Sequence, residues 1–98
     1  MSLTIVTFLS IASAVIIVTM RNHRAEQMTK NLMALLLAER KKQGLSHQTL
    51  ADAAGVHRST ISLIETGKRV PTILVCLKLT MALGVNLDAL IKKASKLD

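Results

Sequence analysis

Few side chains in this 98-residue chain are of a kind that does covalent chemistry. The single cysteine, Cys76, sits in a Leu-rich stretch with no activating partner in sequence. That makes it an inert buried thiol, and a lone Cys excludes both a disulfide framework and a Cys-cluster zinc site. His23, His47 and His57 do not share metal-ligand spacing, and no acidic pair accompanies them. There is no Gly-rich phosphate loop. The sequence therefore offers no catalytic set, no metal site and no cofactor site. What it does offer is cations and hydrogen-bond donors: 13 Lys and Arg against 6 Asp and Glu, for a net charge of +7. Such a balance selects acidic partners, either nucleic acid or an anionic membrane. Residues 21–98 contain no aromatic side chain. Single-strand and RNA modules depend on aromatic stacking, whereas a helix reading duplex DNA does not, so the absence points to double-stranded DNA.

The elements that must position these donors are helices. Leu32, Leu35 and Leu36 recur at helical spacing, and a charged end, Glu39 to Lys42, is stopped by Gly44. Ser46 is a good N-cap for a short helix whose apolar face is Leu50, Ala51 and Ala54. Gly55 makes a tight turn. A third helix runs from about His57 to Glu65, with Ile61 and Ile64 inward, and Gly67 stops it. Pro71-Thr72 opens a fourth carrying Leu74, Leu77, Leu79, Met81 and Leu83, and Asn86 caps a fifth with Leu87, Leu90 and Ile91. No β-alternation persists, so the expected fold class is all-α. From Ser46 to Glu65, two short helices flank a turn, with the small Ala51 where they cross. This is helix-turn-helix spacing: the first helix rests on the DNA backbone and the second offers its amino-terminal residues to major-groove base edges.

The ordered set G-L-S, L-A, A-G-V, S-T-I-S, I-E-x-G-K-R, Pro and A-L-G-V-x-L-D-x-L resembles the Cro/C1-type (XRE) family of bacterial and phage repressors over residues 30–92. The resemblance implies a five-helix lambda-repressor-like domain. It places base contacts at Arg58, Ser59, Thr60 and Leu63. Arg58 would reach guanine bidentately, with Ser59 and Thr60 less discriminating. Leu63 departs from the polar residue often found there; it either touches a thymine methyl or is partly buried. His47 stands where the family commonly has Gln, at a position that touches phosphate; a plain surface His is the other reading. Lys68 and Arg69 fall on the family's phosphate-contacting loop, or are a solvated basic loop at a helix end. Arg40 and Glu65 match a pair that the family often joins by a salt bridge, and are read as structural. Lys42, Lys78, Lys92, Lys93 and Lys96 read as solvated faces.

Residues 1–20 carry no charge. As a helix, residues 3–20 would span about 27–30 Å, the thickness of a bilayer's hydrocarbon core. Arg21, His23 and Arg24 follow rather than precede the apolar run, which argues against a cleaved signal peptide and puts the amino terminus outside. The expected organisation is a single-pass transmembrane anchor over 1–20 in the cytoplasmic membrane, a polar linker over 21–29 that either begins a helix or leads to one, and a cytoplasmic DNA-binding domain over 30–98. A true start at Met20 or Met28 would instead leave a cytoplasmic protein, and a buried soluble helix is a further possibility.

The function these features imply is a sequence-specific double-stranded DNA-binding regulator, a repressor, acting as a homodimer through the region Leu87 to Leu97 and tethered to the membrane. Two rivals stand beside it. One is a membrane-linked adaptor that uses the same fold to bind protein. The other is a soluble antitoxin or restriction-controller type of the same family.

Overall fold

The computed structural model describes the backbone of residues 2–97 and the side chains of residues 20–97. Five helices follow one another: α1 (Ser2–Lys42), α2 (His47–Ala54), α3 (Arg58–Glu65), α4 (Ile73–Leu83) and α5 (Leu87–Lys96). No strand occurs among the described residues.

Local signals set most of the ends. The Ser46 hydroxyl accepts the Thr49 N–H at 3.0 Å, and Thr72 does the same for Val75 at 3.2 Å, so two helices have side-chain N-caps. At Gly55, φ is +70°, and the next N–H, of Val56, turns back onto the Ala51 carbonyl at 3.0 Å. This left-handed closure suits glycine and lets the chain turn from α2 into α3 over three residues.

The core is Met33, Leu36, Leu50, Ala51, Ile61, Ile64, Leu79 and Leu83. Ala51 is fully buried where α2 meets both α3 and α4, so a methyl is what the crossing admits. Around it, Gln43 at the end of α1 donates to the Leu83 carbonyl at 2.6 Å and ties that end to α4.

Packing decides three points that the sequence leaves open. Residues 21–29, expected as a linker, are part of α1. Side chains from this half of α1 bond the last-turn carbonyls of α5: Arg24 Nη2 to Ser95 O at 2.9 Å and Asn31 Nδ2 to Ala94 O at 3.0 Å. Carbonyls in a helix's last turn lack i+4 partners, and Ala94 O otherwise receives the Leu97 N–H at a long 3.4 Å, so the helix extension and the α5 terminus satisfy each other. In α4, the inward residues are Cys76, Leu79, Thr80 and Leu83, whereas Leu74, Leu77 and Met81 are exposed. The buried set is spaced i, i+3, i+4, i+7, and the exposed leucines and Met81 occupy the other side of a helix that is apolar nearly all round. In α5, Ala94 is buried and Leu90 packs on the core, but Ile91 stays exposed.

The expected membrane span, residues 3–20, lies outside the described side chains apart from Met20; its backbone from Ser2 on is helical. Among the described residues, no single helix is long and apolar enough to cross a membrane.

Candidate nucleic-acid interface

α3 is only eight residues long, and its two faces are divided sharply. Ile61 and Ile64 are buried and anchor it, while Arg58 and Ser59 in its first turn are exposed. These two line an open groove with Ser62 and Leu63 on one side and with Ser46, His47 and Gln48 from the start of α2 on the other. The groove thus joins the amino-terminal ends of two helices, where unpaired backbone N–H groups and the positive end of the helix dipole favour anions. Its rim adds a guanidinium, hydroxyls, an amide and an imidazole, a set of donors with no facing carboxylate among its lining residues.

Of the residues singled out from sequence, Arg58, Ser59, Leu63 and His47 come together here. Leu63 is half-buried and also lines the groove. Thr60 does not line the groove; it is half-buried. Lys68 and Arg69 are exposed in the turn after α3, and their backbone N–H groups both bond the Leu63 carbonyl, at 2.9 and 3.1 Å. Both cations are thereby held at a fixed place relative to α3. Gln48 and Ser62 were not singled out. Gln48 lies beside His47, and Ser62 lies one turn after Arg58 on the same face, a signal available from i, i+4 spacing.

Behind the groove is a compact ionic bracket. Arg40 Nε and Nη2 donate to the two oxygens of Glu65, at 2.6 and 3.1 Å, and its Nη1 donates to the Leu45 carbonyl at 2.7 Å. His47 Nε2 lies 2.7 Å from Glu65 Oε2. One carboxylate therefore joins side chains from α1 and α2 to the last residue of α3. The Arg40 and Glu65 side chains are 12% and 11% exposed, His47 36%. Burial pushes the Glu65 carboxyl up, but the hydrogen bonds from Arg40 and His47, together with their charge, outweigh it and hold Glu65 below the usual carboxylate range.

Nothing else in the described residues competes as a site. No group of three His, Cys, Asp or Glu is arranged to hold a metal ion among them. Burial pushes the Cys76 thiol up, which keeps it protonated and unreactive.

A family model described as helix-turn-helix matches residues 36–90, just over half of the chain. The protein belongs to the helix-turn-helix family. Among solved structures, it is similar to the restriction-modification controller protein C.AhdI from Aeromonas hydrophila, at 33% identity with a TM-score of 0.59. That match covers 64% of this chain and 94% of the other. No curated protein matches the chain. Family and neighbour together support a DNA-binding transcriptional regulator of the XRE type.

Proposed function

We propose that this chain is a sequence-specific double-stranded DNA-binding repressor that works as a homodimer. The observation that carries this reading is the exposure of Arg58 and Ser59 in the first turn of α3, beside the start of α2, in a helix-turn-helix family member. In this reading α3 enters the major groove. Arg58 reads a guanine edge, Ser59 and Thr60 make less selective contacts, and Leu63 meets a thymine methyl. His47, Lys68 and Arg69 bond phosphates and set the register of the protein on the duplex.

The exposed apolar face of α4, with Ile73, Leu74, Leu77 and Met81, is continued onto α5 by Ile91. This supports a dimer surface that includes α4 as well as α5. Among regulators of this type, the likeness to a controller protein favours the controller-type alternative over a protein-binding adaptor. Residues 3–20 have the composition of a membrane anchor. Full-length chain in a membrane fraction supports a tether, and a soluble product beginning at Met20 or Met28 removes it.

The test is selection of duplexes from a random library with the full chain, followed by titrations at several salt concentrations. Arg58→Ala is expected to relax base preference at one position and to cost about 1–3 kcal/mol. Lys68→Ala is expected to weaken binding to all sequences and to reduce the salt slope by about one. Feeble, salt-independent binding with no sequence preference would refute the regulator and favour the adaptor.

A further inference from the structure

We infer that His47 makes its DNA contact only when protonated, so that DNA binding by this protein takes up a proton. The inference rests on the DNA-binding reading above and concerns how one residue of that site works.

His47 has one ring nitrogen, Nε2, 2.7 Å from Glu65 Oε2. The carboxylate can only accept, so Nε2 carries the hydrogen. By the geometry of the ring, Nδ1 points away from Glu65. A neutral imidazole with its hydrogen on Nε2 has a bare lone pair at Nδ1, and that lone pair repels a phosphate oxygen. A second proton converts Nδ1 into a donor and gives the ring a charge, so His47 then bonds Glu65 through one nitrogen and phosphate through the other. His47 lines the groove with Arg58 and Ser59 and is 36% exposed, so the ring is accessible to a backbone phosphate there.

The charged groups facing it come from α1 and α3. Glu65 on α3 is the anion bonded to the ring. Arg40 on α1 shares that carboxylate, and Arg58 lies across the groove. On α2 itself, Asp52 is the only other charged group, and it is bonded to Gln48. α4, packed on α2, carries Lys78 as its one charged side chain. A phosphate at Nδ1 adds an anion beside the ring that the free protein lacks. The proton is therefore held more tightly in the complex, and affinity must rise as pH falls. Glutamine, the residue common at this position in the resembling family, donates without a proton and lacks this linkage.

The experiment measures affinity of the full chain for a fluorescein-labelled mixed-sequence duplex of about 30 base pairs, enough for two half-sites one turn apart. Phosphate contacts are independent of sequence, so no operator is needed. Titrations run at constant ionic strength from about pH 5.5 to 8.5, the span in which histidines change charge. Wild type is expected to weaken by about three- to tenfold across that range, the worth of one charge-assisted contact at a partly exposed site. His47→Gln is expected to give a flat profile, whatever its absolute affinity. His57→Gln, at the exposed start of α3, is expected to keep the wild-type slope. Circular dichroism at each pH checks that the variants are folded. A flat wild-type profile, or a slope that survives in His47→Gln, overturns the inference and leaves the DNA-binding reading standing. Absence of duplex binding at every pH overturns both.

Discussion

Replacing Glu65 with glutamine removes the one anion from a bracket that holds three helices together. The carboxylate receives three nitrogens, two from Arg40 at 2.6 and 3.1 Å and one from His47 at 2.7 Å. The amide has one acceptor oxygen, and its NH2 group must face a nitrogen that donates. Hydrogen bonds to charged groups contribute about 1.5–3 kcal/mol each, and orphaning one member of a buried pair costs about 3–5 kcal/mol. Arg40 and Glu65 retain roughly a tenth of their exposure, and His47 is over a third exposed. Solvent screens the His47 arm most, which brings the expected loss for Glu65→Gln to about 2–3 kcal/mol. In a domain of this size, each kcal/mol moves Tm by about 4–8 °C, so a fall of roughly 10–20 °C is expected in thermal melts at neutral pH. The double variant Arg40→Met, Glu65→Met separates pairing from packing. It leaves no orphaned charge and should recover much of the loss, with a coupling of at least about 1 kcal/mol in the double-mutant cycle. A Glu65→Gln protein that melts within a few degrees of wild type, or a double variant as unstable as the summed single variants, would refute the bracket as a source of stability.

The folded protein holds Glu65 below the usual carboxylate range, so the bracket's stabilisation is complete above that range and is lost as pH falls through the lower folded value. Acid melts of wild type should steepen below about pH 4, and those of Glu65→Gln should decline less over the same interval. Met81 is 78% exposed on the apolar face of α4, so Met81→Asp should leave the thermal melt nearly unchanged while shifting sedimentation from dimer to monomer. A variant still dimeric would put the interface elsewhere. A chain begun at Met20 keeps both bonds from α1 to the α5 carbonyls, whereas one begun at Met28 keeps only that of Asn31. The shorter form should melt several degrees lower and exchange the Ser95–Lys96 region amides faster, and equal melts would assign Arg24 no structural part.

Signals that act within one turn of chain were legible in the sequence. Ser46 caps α2 through Thr49, three residues on, and Gly55 and Gly84 close helices in a left-handed conformation whose need is local. The division of α4 into faces was not legible. Leu77 and Leu79 are two residues apart and equally apolar, yet one is 41% exposed and the other 3%. An all-round apolar helix has no polar stripe to mark its outside, so only packing against α2 and α1 chooses the buried side. Residues 21–29 were open between helix and linker for the opposite reason. Their polar composition shows no apolar period, and Arg24 among them is tied to a carbonyl 71 residues away in sequence.

The site divides along a similar line. Glu65 is nearly buried, and a charge in that position requires a partner, so Arg40 leaves a trace that survives as a motif. The groove residues carry no such obligation. Arg58 and Ser59 are exposed and open to solvent, and nothing in their own chemistry distinguishes them from the exposed lysines of α5. Their significance comes from the turn at Gly55, which sets α3 against α2, and from Ile61 and Ile64, which fix the side α3 turns outward. His47 belongs to both classes. Its link to Glu65 spans 18 residues and two helices and had no sequence signal beyond the resemblance. Because one ring nitrogen is committed to the buried anion, what the other can do at the surface depends on the protonation state of the ring, and the structural bracket and the binding groove become parts of one chemical system.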